Sequence, residues 1–385
     1  SIVFAANVAS SIIQPLFGYA ADWFSKPWLL AFGLILAGAG LGLTGLCSNY
    51  PMIMLLAVIS GIGIAAYHPE AARLVNFEAG SKKNTAMSIF GVGGTIGFAI
   101  GPFLITTSLM HLDLKGSMIL MVPVSIMAII MTIQYPRFKS IVRKNDKNNN
   151  SSPEQAQKED WHSFGKLTAV IIGRYIIFYG LNTFIPIYWI MHLNQSKIMG
   201  SIALTLFAAS GILGNLIGGC FADKYGPKKV LLFGFLGLTI LLPVFCLVNN
   251  AAISLLLMFP MGLILYTSYG PSIVLGQSYL PNRVGLSSGI TLGVAISIGG
   301  AVTPVIGKIA DIYGVWSGII TIACLPICIF LMALNLPDPQ ADDREQKVVQ
   351  GRKRANDDMP KTTVTSWGHS SQARDILILK LTAKR

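Results

Sequence analysis

Runs of about twenty nearly uncharged residues recur along this chain, each long enough to cross roughly 30 Å of hydrocarbon as a helix. They lie near residues 1–21, 28–47, 51–75, 85–110, 117–135, 167–191, 198–221, 230–248, 252–279, 286–310 and 315–336. Inside hydrocarbon the backbone must satisfy its own N–H and C=O groups, and a helix does so within one segment. Of the 385 residues, 53% are hydrophobic and 12% charged, against roughly a quarter charged in soluble domains. The sequence therefore predicts an all-α polytopic membrane protein with about eleven spans.

The loops supply an orientation. Lys26, Lys82, Lys83, the basic residues from Arg137 to Lys166, Lys224, Lys228, Lys229 and Arg283 fall in one alternating set of connections. The other set holds little beyond Lys115, Lys197 and Lys308. Lys and Arg gather on the cytoplasmic side of a membrane, which assigns the first set there. This bias also accounts for the net charge of +12 with no nucleic-acid partner. The chain opens inside an apolar run with no charged n-region, which leads to the expectation that this run is not a signal peptide. The odd span count leads to the expectation that one helix precedes Ser1. Cys47, Cys220, Cys246, Cys324 and Cys328 all lie in apolar runs. With no His or carboxylate to complete a metal set, they read as small core or lipid-facing residues, and no cofactor is expected.

Residues 136–165 are polar and Asn/Ser-rich and read as a flexible cytoplasmic linker. They separate an N-terminal bundle, 1–135, from a six-helix bundle, 166–337. Residues 338–385 turn polar and read as a disordered tail foreign to the core. The two halves repeat: "GYAADWFSK" aligns with "GCFADKYGPKK", placing Gly18 on Gly219 and Asp22 on Asp223. At nearly the same offset "GFAIGP" is followed by "GAVTP". A repeat of this length means two homologous bundles. Each Asp follows its helix into a short turn. There it can cap a neighbouring helix N-terminus or pair with Lys and Arg.

The segment "AAYHPEAAR" closes an uncharged run with four polar residues. Pro69 removes an N–H and leaves the Ala65 carbonyl without its helical partner. Glu70 and Arg73 share a face with Tyr67 and can pair. His68 points nearly the opposite way, beside Ala71 and Ala72, so the three polar groups cannot line one cavity. Three readings stay open. The pair fixes a helix end and snorkels to water; Glu70 carries a proton with Arg73 tuning it; or His68, with a reference pKa of about 6.5, is the proton-sensitive group. Arg174, flanked by Tyr175 and Tyr179, is a second candidate, as a snorkelling structural residue or a substrate-binding one. No paired catalytic carboxylates, nucleophile triad, phosphate-binding loop or metal set appears, which argues against an enzyme.

These residues match a known pattern. Gly-x-x-x-Asp after the second helix of each half resembles the inter-helix motif of the major facilitator superfamily. The second copy carries Asp223, Lys224, Gly226, Lys228 and Lys229; the first has Trp23 and Ser25 where a basic residue and a glycine are usual. "GFAIGP", with Gly97, Gly101 and Pro102, is similar to the superfamily's exporter signature, and its plain reading is small-residue helix packing with a proline bend. Ala57 stands roughly where the superfamily's fourth-helix arginine is usual, which leaves Glu70 for coupling. Together "ASSIIQPLFGYAADWFSKPW", "GIGIAAYHPEAARLV", "SIFGVGGTIGFAIGP" and "LPNRVGLSSGITLG" resemble the fosmidomycin-resistance-like efflux transporters, over residues 1 to about 338. The resemblance implies two bundles of six helices in the inner membrane, the first helix lacking from this chain. It further implies a monomer working by alternating access, with protons driving export of a drug-like or small anionic compound. That family's named drug is a phosphonate, and guanidinium matches such anions bidentately, so Arg73 and Arg174 are expected to flank an anion-accepting cavity. Uptake of an organic anion, or a truncated chain that no longer transports, are the alternatives.

Overall fold

Local sequence signals start and stop the helices at short intervals. A computed structural model describes residues 2–24, 26–150 and 158–339. Its first half runs α1 (Ile2–Phe24), α2 (Trp28–Gly42), α3 (Tyr50–Glu78), α4 (Lys83–Leu112), α5 (Met121–Ile133) and α6 (Tyr135–Asn150). The second runs α7 (Trp161–Met191), α8 (Lys197–Tyr225), α9 (Pro227–Leu247), α10 (Ala251–Thr267), α11 (Tyr269–Tyr279), α12 (Val284–Gly289), α13 (Ala295–Tyr313) and α14 (Val315–Leu334). Asn49, Asp160, Ser196 and Asn250 cap α3, α7, α8 and α10 by accepting from backbone N–H groups in the first turn, as short polar side chains do at N-caps. Gly226, at φ +101°, ends α8 in a conformation that a side chain would strain, and Pro227 starts α9 at once.

Nine helical stretches among the described residues are long and apolar enough to cross a membrane. The stretch Lys83–Ile133 holds both α4 and α5, and α10 with α11 forms one span, as does α12 with α13. Separating α4 from α5 and adding α1 recovers the eleven segments read from the sequence. A π-helical turn, Ile290–Val294, joins α12 to α13. Leu247, Phe103 and Ile198 project more than 70% exposed, as lipid-facing side chains do.

The two bundles are held differently. The second has a large aromatic core in which Trp189, Tyr188, Phe207, Phe235 and Phe245 are buried. In the first, small residues let backbones approach: a Cβ on Gly63 would come 2.4 Å from Ala37 N, and one on Gly40 2.6 Å from Leu56 O.

Two expectations change. The segment read as a flexible linker starts with α6, because Phe138, Ile141 and Val142 recur at helical spacing. Val142 is buried against Leu30, Ala71 and Leu74 of the first bundle. Packing of that stripe outweighs the Asn-rich composition. Second, the small-residue packing expected at Gly97 and Gly101 is not seen among the described residues; a Cβ at either would meet nothing within 4 Å. Pro102 lies within a continuous α4. The polar tail falls outside the described residues apart from its first two.

Candidate functional site

The repeated aspartates do the same thing twice. Asp22, at the end of α1, accepts from the backbone N–H groups of Gly285 (2.7 Å) and Leu286 (2.9 Å), which open α12. Asp223, at the end of α8, accepts from the N–H groups of Asn84 and Thr85 (both 2.9 Å), which open α4. It also accepts from Asn84 Nδ2 (2.9 Å) and Thr85 Oγ1 (2.5 Å). Each carboxylate caps a helix of the opposite bundle, where the unsatisfied N–H groups and the helix dipole favour an anion. Of the two roles that the sequence left open for these acids, capping is the one observed. The offset of 201 that relates Asp22 to Asp223 also carries Asn84 to Gly285 and Thr85 to Leu286, so donors and acceptors repeat together.

These contacts belong to two antiparallel helix pairs. Along α1, Gly18 meets Gly285 and Gln14 meets Gly289 and Gly293, while Ser11 and Ser297 share a hydrogen bond. A Cβ on Gly18 would come 2.3 Å from Gly285 O, so glycine is required for this approach. Along α8, Gly219 abuts Ser88 and Asn215 reaches the backbone of Gly91, both on α4. Between the pairs, Asn76 of α3 donates to Gln277 of α11 (2.5 Å), and Gln277 donates to Ser288 of α12 (2.9 Å). Asn76 and Gln277 are themselves 201 residues apart, which makes them equivalent positions bonded to each other at the pseudo-two-fold axis.

The remaining motif residues tie this end of the molecule together. Lys228 donates to the Leu334 carbonyl at the end of α14 (3.1 Å), and Lys224 lies over the Tyr225 ring. A cation at a helix C-terminus is favourable for the same dipole reason. Arg283 pairs with Glu159 (3.1 Å), beside the α7 N-cap. Lysine-bearing junctions thus collect at one end, where the bundles touch.

Glu70 and Arg73 form the pair that their spacing predicts, Arg73 Nε to Glu70 Oε2 at 3.0 Å and Nη2 to Oε1 at 3.1 Å. Glu70 is 0% and Arg73 2% exposed, and the guanidinium also lies over Phe77. Neither is a snorkelling side chain. Asp22 is within electrostatic range of both. His68 lies on a different face, one turn from Ala72, which packs with Met87, Ile273 and Leu292, and two turns from Asn76. That face meets the second bundle. The His68 ring lies edge-on to Phe90, and its Nδ1 is buried with no hydrogen-bond partner among the described residues.

Arg174 is buried in the second bundle. Its Nε donates to Ser268 Oγ (2.9 Å) and its Nη2 to the Leu265 carbonyl (3.4 Å), at the break between α10 and α11. The guanidinium lies 5.1 Å from the Tyr175 ring centroid and 5.5 Å from that of Tyr269. No carboxylate neutralises it among the described residues. Arg73, by contrast, is committed to Glu70, so the expected pairing of two arginines around an anion is not what the geometry brings together.

The sequence reading missed Gln14, Asn76, Gln277, Ser268 and Tyr269. A signal existed for three of them, since an amide side chain inside an apolar span needs a partner.

Comparison with known proteins fits this arrangement. The family model described as Major Facilitator Superfamily matches residues 1–304. The chain is 27% identical over 348 residues to the Fosmidomycin resistance protein of Escherichia coli (strain K12), covering 89% of this chain and 84% of that protein. It is 28% identical over 358 residues to an uncharacterized MFS-type transporter, YfnC, of Bacillus subtilis (strain 168), covering 88% and 84%. Among solved structures, FucP in the outward conformation superposes with a TM-score of 0.69 at 16% identity, covering 88% of this chain and 89% of that one. The proton:xylose symporter XylE gives 0.65 at 14%, covering 88% and 86%. At these identities the two structures speak to the fold alone.

Proposed function

This chain belongs to the Major Facilitator Superfamily, and on that premise we propose that it is a proton-driven exporter of a small anionic or drug-like compound, working by alternating access in the bacterial inner membrane. The observation that carries the reading is the reciprocal capping by Asp22 and Asp223. Positive-inside bias assigns this closed end to the cytoplasm, and two bundles clasped there and able to part are what alternating access needs. Similarity to the Fosmidomycin resistance protein supports a drug-like cargo.

The chemistry divides between the bundles. Arg174 is a buried cation with no carboxylate partner among the described residues, and an anionic substrate completes it in a medium where an unpaired charge is costly. Its fixed fork suits phosphonate or carboxylate oxygens. In the first bundle a proton on Glu70 removes one half of a buried pair. Arg73 is then left to act on Asp22, whose charge holds α12. A proton on Glu70 thereby changes the charge balance at the cytoplasmic clasp. His68 is the second reading for the proton-sensitive group, favoured by its unpartnered Nδ1 on the inter-bundle face.

Proton movement in inverted vesicles on adding fosmidomycin tests this, comparing the parent with Glu70→Gln and His68→Gln at matched protein levels. Loss of drug-driven proton release in Glu70→Gln alone supports the pair as the coupling group; loss in His68→Gln alone moves the role to the histidine. Drug-driven release unchanged in both removes proton coupling from α3. Uptake of an organic anion is the alternative direction. The same vesicles distinguish it, because an importer moves drug and protons together rather than in exchange.

A further inference from the structure

The helix α6 carries a basic surface outside the candidate site. Between Tyr135 and Asn150 the sequence holds five basic residues, Arg137, Lys139, Arg143, Lys144 and Lys147, against one acid, Asp146. Arg137 is paired with Glu78 at 2.7 Å. Lys139, Arg143 and Lys144 are exposed and have no ion-pair partner among the described residues. Lys139 and Arg143 stand one turn apart, a like-charge spacing that opposes helix formation. The opposite side of the helix is spent, since Val142 is buried against α2 and α3 with Phe138 and Ile141 beside it. The helix is therefore fixed in place with its basic side turned outward.

Its position is also fixed. One residue separates α6 from α5, whose flank Ile126, Ile129 and Ile133 is 55–70% exposed and faces lipid. α6 thus begins where an acyl-facing surface ends, at headgroup depth. On the cytoplasmic orientation argued above, that is the leaflet bearing anionic lipid.

We propose that the basic side of α6 is a binding surface for anionic phospholipid headgroups of the cytoplasmic leaflet, with Lys139, Arg143 and Lys144 as its ligating residues. Phosphate oxygens supply the counter-charge that is not seen among the described residues, and a basic residue close to an anionic leaflet gains about fivefold in binding. Docking of the apolar side keeps the three cations together, so the surface is preformed. The inference rests on the orientation in the preceding reading but not on the substrate, the direction of transport or the coupling ion.

Full-length protein purified from equimolar phosphatidylglycerol and phosphatidylcholine micelles is expected to retain phosphatidylglycerol in severalfold excess at low salt. The variant Lys139→Gln/Arg143→Gln/Lys144→Gln should bring the two lipids to parity, while Lys26→Gln/Lys229→Gln, on the same face of the membrane, should leave the excess intact. Excess unchanged in the triple variant, or abolished equally by the control, overturns the proposal. A measurement on the parent protein covers misfolding of the variant. In phosphatidylglycerol nanodiscs, acylation of Lys139 and Lys144 should slow severalfold relative to phosphatidylcholine nanodiscs, and that of Lys229 should not. Equal rates at Lys139 and Lys144 in the two lipids would mean a merely solvated surface and refute the assignment. Drug transport by the triple variant reads the preceding proposal separately.

Discussion

Replacing Asp223 by alanine should open the clasped end more than replacing Asp22, although the two acids occupy equivalent places. Asp223 accepts four hydrogen bonds and Asp22 two. A hydrogen bond to a charged group contributes about 1.5–3 kcal/mol. Both carboxylates are partly exposed, so water takes up some of the abandoned donors, and half of the lower figure is the better guide. That gives about 3 kcal/mol for Asp223 and about 1.5 kcal/mol for Asp22, or shifts of about 150-fold and 12-fold in the closed-to-open ratio. Ser88, buried on α4 against Gly219, reports the opening. With the native cysteines replaced, a Ser88→Cys thiol should react slowly with an impermeant maleimide in inverted vesicles. Reaction should speed up in Asp22→Ala and speed up further in Asp223→Ala. Equal rates in all three, or a larger effect from Asp22, would refute the reasoning from bond count.

Four further outcomes follow from the geometry. Gly18→Ala should disfavour the closed end by about 1–3 kcal/mol, the usual cost of overpacking, because its Cβ meets Gly285 O at 2.3 Å; the same maleimide assay reads it as faster labelling. Glu70→Ala should cost about 3–5 kcal/mol by breaking the buried pair with Arg73, with much of that recovered in Glu70→Gln/Arg73→Met, as seen in the melting temperature of the purified protein. Arg174→Lys should fail to restore the transport lost in Arg174→Ala, since an ammonium lacks the planar fork that holds Ser268 and the Leu265 carbonyl on one side and can offer two parallel N–H groups to an anion; initial rates of drug uptake into inverted vesicles check this. Asp160→Ala should cost about 1 kcal/mol at the α7 N-cap. Hydrogen bonds from Ser163, side chain first and backbone second, hold the Asp160 carboxyl below its ordinary range. Its contribution is therefore complete above the unfolded value of 3.8 and is lost as pH falls through the lowered folded value. The gap between parent and variant melting temperatures should close on acidification.

Membrane topology was legible because hydrocarbon leaves one solution for an apolar run, and the spans follow from length alone. The aspartates were legible as well, because a repeat aligned them. What the repeat did not reveal without coordinates was the partner of each acid: backbone N–H groups carry no sequence signature, and nothing in Asn84 or Gly285 marks a capped helix. Asn76 and Gln277 were overlooked although the same offset relates them, since each alone is a neutral residue near a helix end. The Glu70–Arg73 pair was readable from its i, i+3 spacing, and its burial was not, because that depends on α1 and α2 closing over it. α6 was obscured by composition, where three apolar residues carry the helix through an Asn-rich background.

The unequal grip of the two clasps has a kinematic meaning. A molecule held by two identical fasteners parts along its symmetry axis, both seams together. Here the aspartate of the α1–α12 seam accepts two bonds and that of the α8–α4 seam four. The bundles should therefore swing like a door, with α1–α12 as the free edge and α8–α4 as the hinge post. An opening at this end would then be a wedge beside α1, and a molecule passing there would take that flank rather than the central axis.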